Sequence, residues 1–222
     1  SGADFGIAVD PDVDRLAFMD ENGVMFGEEY TLVACADHIL SHRPGNTVSN
    51  LSSTRALRDV TEKYGGIYTA SAVGEVNVVN AMKSSNAIIG GEGNGGIIYP
   101  ESHYGRDALV GVALFLSLLA ERKIAVSTLR ASYPSYFMSK KKIDLNPSID
   151  VDAILAAIEA RYSEEQISTI DGVKIDFLTE WVHLRKSNTE PIIRIYTEAP
   201  TQKAADNLGN KIINEIKEVA GI

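Results

Sequence analysis

Five of the seven residues at 90–96 are glycine, and they follow directly on the apolar run Ala87-Ile88-Ile89. A backbone so free of side chains can approach a ligand closely, and it presents only Glu92 and Asn94 to that ligand. No helix starts on the run, since Ile97-Ile98-Tyr99 reads as another strand, so it is not a dinucleotide fingerprint. The bland reading is a flexible surface turn. Against it, a loop closing a buried strand sits where layered α/β domains bind ligands. A carboxylate held there, Glu92, can accept from two neighbouring hydroxyls of a sugar.

The flanking periodicity supports that setting. Strand-like segments at 47–51, 66–71 and 87–89 alternate with helical apolar stripes over 28–40, 54–64 and 74–82. Residues 107–121 are apolar nearly all round, which predicts a helix covered on more than one face. This alternation implies a three-layer α/β domain with a mostly parallel sheet.

After Pro134 the pattern changes. Residues 138–145 carry Lys140, Lys141 and Lys142 and read as a polar strand or hinge, with the lysines on a solvated face. A helix over 152–162, strands at 172–177, 181–185 and 192–197, and a last helix from the Thr201 cap to 219 predict an α+β domain with an antiparallel sheet.

Near the start, 5–9 and 15–19 read as strands, and Gly23 closes a tight turn into Val24-Met25-Phe26. The chain opens on Ser1-Gly2-Ala3-Asp4 with no initiator Met, so a piece of something longer is expected. The expected organisation is a remnant of a further α/β domain at 1–27, the three-layer domain at 28–136 and the α+β domain at 137–222.

Between the first two strands lies Asp10-Pro11-Asp12-Val13-Asp14-Arg15, three carboxylates within five residues. Like charges so close resist ionising together unless a cation joins them, and oxygen donors suit hard cations such as Mg²⁺. Arg15 adds a fixed guanidinium, a good partner for phosphate. An EF-hand is the nearest rival, but its sixth position should be Gly and is Arg15, and no exiting helix follows. A plain solvated acidic turn is the remaining alternative.

Arg185-Lys186-Ser187-Asn188-Thr189-Glu190-Pro191 lies between two predicted strands. Its hydroxyls, amide and successive backbone N–H groups make an anion cradle, to which Arg194 could add a second guanidinium; a polar hairpin turn is the alternative. Ser41 and His42 are adjacent at a helix end, where His favours the dipole, and are not read as a catalytic pair. His38, His183, Trp181 and Cys35 read as structural, and His103 is left open.

Composition narrows the partners. The 222-residue chain carries 21 basic and 30 acidic side chains, a formal net charge of -9, which argues against a nucleic-acid or anionic-membrane surface. No apolar run reaches membrane length, and a single cysteine fits a reducing, cytoplasmic compartment.

Taken in order, the acidic loop, the loop at 91–95 and the Arg185 to Pro191 segment resemble those of the α-D-phosphohexomutases, which include phosphoglucomutase, phosphomannomutase and phosphoglucosamine mutase. The resemblance covers essentially the whole chain. It implies that Asp10, Asp12 and Asp14 bind Mg²⁺, with Arg15 as a catalytic cation. It implies that Glu92, Asn94 and Gly95 contact the sugar, that Val73 and Gly74 belong to a sugar-specificity loop, and that Arg185, Ser187, Asn188, Thr189 and Arg194 hold phosphate. Three departures stand out. Pro11 and Val13 occupy positions where the family often has Gly, and Gly96 stands where some members carry His. The family's phosphorylated serine lies upstream of the metal loop.

The expected activity is therefore that of the C-terminal part of a Mg²⁺-dependent phosphohexomutase, interconverting hexose 1- and 6-phosphates through a phosphoserine and a bisphosphate, and inactive alone. The substrate would be a glucose, mannose or glucosamine phosphate. The alternatives are a Mg²⁺-dependent sugar phosphatase using Asp10 and a non-catalytic sugar-phosphate binding module. Residues 5–26 are expected either to self-associate through open strand edges and uncovered Ile7, Val9, Leu16 and Phe18, or to fold against the domain that follows.

Overall fold

The structure is a computed structural model and describes residues 2–146, 149–187 and 190–222. It divides into two units, one ending at Pro134 and the other running from Ser135 to Ile222.

The first unit begins with an antiparallel hairpin of β1 (Gly6–Val9) and β2 (Leu16–Met19). Then follow α1 (Glu28–His42), β3 (Asn46–Asn50), α2 (Ala56–Lys63), β4 (Tyr68–Ser71), α3 (Glu75–Ser85), β5 (Ala87–Glu92), β6 (Gly96–Ile98), α4 (Ala108–Arg122) and α5 (Val126–Ala131). The sheet has the order β4-β3-β5-β6; β3 is parallel to both neighbours, and only β6 runs antiparallel. The layered α/β expectation is thus met. Residues 24–26 contribute a single bridge, Met19 to Met25, instead of a strand, and α5 was not foreseen.

The hairpin is held to the first unit by aromatic packing. Phe18 stacks on Phe115 of α4 with ring centroids 3.8 Å apart, and Phe26 meets Phe115 edge-on at 5.1 Å. Gly111 makes room for this approach, because a Cβ there would lie 2.4 Å from the Leu16 side chain. Leu16 and Phe18 are therefore buried, whereas Ile7, Val9 and Met19 stay exposed. Of the two fates expected for residues 5–26, packing on the following domain is visible for β2, which alternates inward and outward as a half-buried strand should.

The second unit contains β7 (Phe137–Asp144), α6 (Val151–Arg161), β8 (Gln166–Ser168), β9 (Val173–Asp176), β10 (Trp181–Lys186), β11 (Ile192–Ala199) and α7 (Gln202–Ala220). Its five strands form an antiparallel sheet in the order β7-β11-β10-β9-β8. Ile143, Val182, Leu184, Ile193 and Ile195 project from one face against Ile158, Leu208, Ile212 and Ile216 of α6 and α7. The lysine stretch is a full strand at the sheet edge, which settles the choice between strand and hinge. Thr201 caps α7 by accepting from the Ala204 N–H, and Trp181 is fully buried with its indole N–H on Glu198, both as expected.

Candidate metal and sugar-phosphate site

The turn between β1 and β2 folds its carboxylates together. Asp10 Oδ1 accepts from the backbone N–H groups of Asp14 and Arg15 at 3.1 and 3.0 Å, and Asp10 Oδ2 lies 2.7 Å from Arg15 Nε. Ligand atoms of Asp10, Asp12 and Asp14 all come within 4.8 Å of one another. Desolvation raises the Asp10 carboxyl, but the hydrogen bonds from Arg15 outweigh it and hold it at about 2. Asp14 moves the other way, upward, from desolvation first and then from sharing hydrogen bonding with Asp10. Val13 takes a positive φ of 57°, a region costly for a β-branched side chain and open to glycine.

The glycine loop lies directly beneath this turn. Gly95 has φ 86°, and its carbonyl accepts from the Leu16 N–H at 3.1 Å; a Cβ there would meet the Leu16 carbonyl oxygen at 2.1 Å. Asn94 Oδ1 turns back to accept from Gly96 N–H, and Gly93 N–H donates to Ser53 Oγ at 3.0 Å. Glu92 is buried. Its Oε1 accepts from Asn50 Nδ2 at 2.9 Å and from the Gly74 N–H at 3.3 Å. Gly74 in turn opens α3 with φ 116°, and Val73 offers its carbonyl to Asn77.

One residue that sequence reasoning passed over joins these three loops. Arg106 pairs with Asp14 Oδ2 through one terminal nitrogen and lies 2.8 Å from Glu92 Oε2 through the other; its Nε is 3.4 Å from Glu75 Oε2. Its backbone N–H also donates to Glu75 Oε1 at 2.9 Å. The only local signal is a basic residue beside Gly105, just before Asp107, whose side chain caps α4. His103, left open earlier, donates from Nε2 to that same Asp107 at 2.9 Å.

In the second unit, Arg185 at the end of β10 is held by Asp171, with Nε 2.9 Å from Oδ2. Ser187 N–H donates to the Ile192 carbonyl, which starts the turn. Asn188 and Thr189 lie outside the described residues. Arg194 is exposed and stands opposite Lys142 in the β7–β11 register, with Tyr196 opposite Lys140. These four, with Lys141, Glu190 and Ile192, line a cleft of about 270 Å³. Lys141 is tied to Asn210 of α7 at 2.6 Å, so the lysine stretch is split between two faces. The structure thus gathers Asp10, Asp12, Asp14, Arg15, Gly74, Glu92 and Gly95 in the first unit, and Arg185, Ser187 and Arg194 in the second.

Comparison with known proteins bears on the family and the fold. Residues 19–136 match the family described as phosphoglucomutase/phosphomannomutase, alpha/beta/alpha domain III, and residues 141–215 match the phosphoglucomutase/phosphomannomutase C-terminal domain. The chain belongs to the phosphoglucomutase/phosphomannomutase family. It is 36% identical over 221 residues to a phosphoglucomutase/phosphomannomutase of Thermococcus kodakarensis, covering 96% of this chain and 48% of the relative. It is also 36% identical over 221 residues to a phosphoglucosamine/phosphogalactosamine mutase of Sulfurisphaera tokodaii, covering 97% and 48%. The chain spans about half the length of the curated relatives it matches.

Among solved structures, a family protein from Burkholderia thailandensis superposes with a TM-score of 0.83 at 24% identity, covering 99% of this chain and 47% of that one. An Aspergillus fumigatus N-acetylphosphoglucosamine mutase, solved with GlcNAc-6P and magnesium, superposes at 0.67 and 16% identity, covering 99% and 50%. Both likenesses speak to the fold.

Proposed function

We propose that this chain carries the metal-, sugar- and phosphate-binding part of a Mg²⁺-dependent phosphohexomutase, which interconverts hexose 1- and 6-phosphates. The observation that carries the reading is the meeting of Asp14, Glu92 and Glu75 on Arg106, which joins the acidic turn, the glycine loop and the Val73-Gly74 loop. The donor set fits a hard cation, since three carboxylates converge and Asp12 is exposed. When bound there, Mg²⁺ neutralises charge on a phosphoryl group in transfer.

The chain's own groups have separable tasks under this reading. Arg15, half exposed beside the carboxylates, offers its remaining guanidinium nitrogens to the transferring phosphoryl. Glu92, fixed by Asn50, Gly74 and Arg106, orients sugar hydroxyls. Arg185, braced by Asp171, and Arg194 hold the phosphate that does not react. By the family resemblance, the donor is a phosphoserine and the intermediate a hexose bisphosphate. The relatives' names and the ligand of the Aspergillus structure support a hexose or hexosamine phosphate as the substrate class.

Calorimetry and a coupled assay on the purified chain test this together. The chain should bind a hexose phosphate in the presence of Mg²⁺ without converting the 1-phosphate to the 6-phosphate, even with bisphosphate added. Conversion by the chain alone would overturn its inactivity. Mg²⁺ binding left unchanged by Asp12→Asn would overturn the metal assignment.

The hairpin bears on assembly. Ile7, Val9 and Met19 are exposed on a two-stranded sheet, with Met25 exposed beside it, and among the described residues β1 pairs with no strand but β2, which favours association of the isolated chain with a second copy. A monodisperse monomer by light scattering would refute this part.

A further inference from the structure

The C-terminal turns of α1 and α4 meet at a cluster that the proposed reaction does not use. His38 and His42 lie one helical turn apart on α1, and Glu121 faces them from α4. His42 Nε2 is 3.2 Å from Glu121 Oε1, and His38 Nδ1 is 3.6 Å from Glu121 Oε2. The ligand atoms of all three residues lie within 4.8 Å of one another.

The orientation of the rings is set by the surroundings. His42 Nδ1 is 2.9 Å from the His38 carbonyl oxygen, which can only accept, so Nδ1 donates there and Nε2 is the nitrogen that faces Glu121. That outer hydrogen bond is the device that fixes the tautomer of metal-binding imidazoles. His38 is 8% exposed, and its Nδ1 is buried with no hydrogen-bond partner although it is aimed at Glu121.

Two imidazole nitrogens facing one carboxylate, one of them buried without a hydrogen-bond partner, make a donor set that a cation can join. The two nitrogens face different oxygens of the Glu121 carboxylate, at 3.2 and 3.6 Å, and one ligand atom from each of the three residues lies within 4.8 Å of the others. Both helices also end here, and their dipoles favour positive charge. The nearby Arg122 does not supply it, because its guanidinium is paired with the buried Asp37. We infer that His38, His42 and Glu121 form a Zn²⁺-class site that ties α1 to α4, with its remaining coordination open to solvent. Two imidazoles and one carboxylate select a borderline transition ion over Mg²⁺.

The test uses the full chain with Zn²⁺ alone as probe, in excess Mg²⁺ so that the acidic turn is filled. Calorimetry should show one Zn²⁺ per chain. His42→Ala and Glu121→Gln, both at exposed positions, should each weaken it by more than about 100-fold, given that loss of an outer-shell partner alone costs about 10–100-fold. Asp12→Asn should leave Zn²⁺ binding unchanged. Co²⁺ should develop visible absorption in the native chain and in Asp12→Asn but not in the other two variants. Absence of Zn²⁺ binding, or binding that survives both His42→Ala and Glu121→Gln, would overturn the assignment.

Discussion

Arg106 Nη1 donates to Glu92 Oε2 across 2.8 Å, so the carboxylate of the glycine loop and the acidic turn share one guanidinium. Glu92 is only 5% exposed, and removing Arg106 leaves its charge buried beside two neutral donors, Asn50 and Gly74. Arg106→Ala should therefore lower the stability of the first unit by about 3 kcal/mol in urea unfolding. Arg106→Ala combined with Glu92→Gln should recover part of that loss. A loss below about 1 kcal/mol would show that solvent screens the cluster.

Ligand binding should separate the two units' contributions. Glu92→Gln should weaken hexose phosphates by about 1.5–3 kcal/mol for each hydrogen bond lost to the charged acceptor. Arg185→Ala should weaken phosphorylated sugars while barely changing affinity for the free sugar. Calorimetry with glucose and glucose 6-phosphate distinguishes these outcomes, and equal losses for both ligands in Arg185→Ala would remove the phosphate assignment.

Val13 gives a test of stored strain. Its φ of 57° costs roughly 1–3 kcal/mol for a side chain of its kind, against about 1 kcal/mol of extra chain entropy lost by glycine. Val13→Gly should consequently hold or raise the melting temperature, whereas Val13→Ile should not. A clear drop for Val13→Gly would mean that the turn depends on the valine methyls.

The second unit should be acid-sensitive through His183. Burial, opposed only partly by its hydrogen bond to the Asp171 carbonyl, lowers this ring from 6.5 to about 4. The folded state then binds fewer protons than the unfolded state between those values, so stability is full above pH 6.5 and falls as pH drops toward 4. The loss amounts to roughly 3 kcal/mol over that window. His183→Gln should flatten the dependence measured by denaturant titration at pH 7 and pH 4.5.

Much of this architecture was legible in the chain. Period-two and helical stripes gave the order of strands and helices, the glycine run gave the loop after β5, and the Thr201 cap marked the start of α7. These are local signals, set within a few residues. Arg106 escaped because its partners Asp14, Glu75 and Glu92 lie 92, 31 and 14 residues away, and nothing around it distinguishes it from Arg43 or Arg58. The short β8 was missed for a related reason: three residues paired only with β9 carry too little periodicity to register. Burial of Leu16 and Phe18 depended on Gly111, far along the chain, and no pattern around residue 16 announces it.

The stack of Phe18 on Phe115 has a consequence for how the acidic turn moves. β2 is clamped to α4, so its amides should exchange with solvent only when the helix itself loosens. β1 has three exposed residues in four and pairs only with β2, so its amides should open by local fraying. The turn thus hangs between a fixed shoulder at β2 and a fraying one at β1, with the Asp10 carboxylate tied inside it by Arg15. Under the proposed metal binding, the Asp14 carboxylate meets the cation already held in place by Arg106.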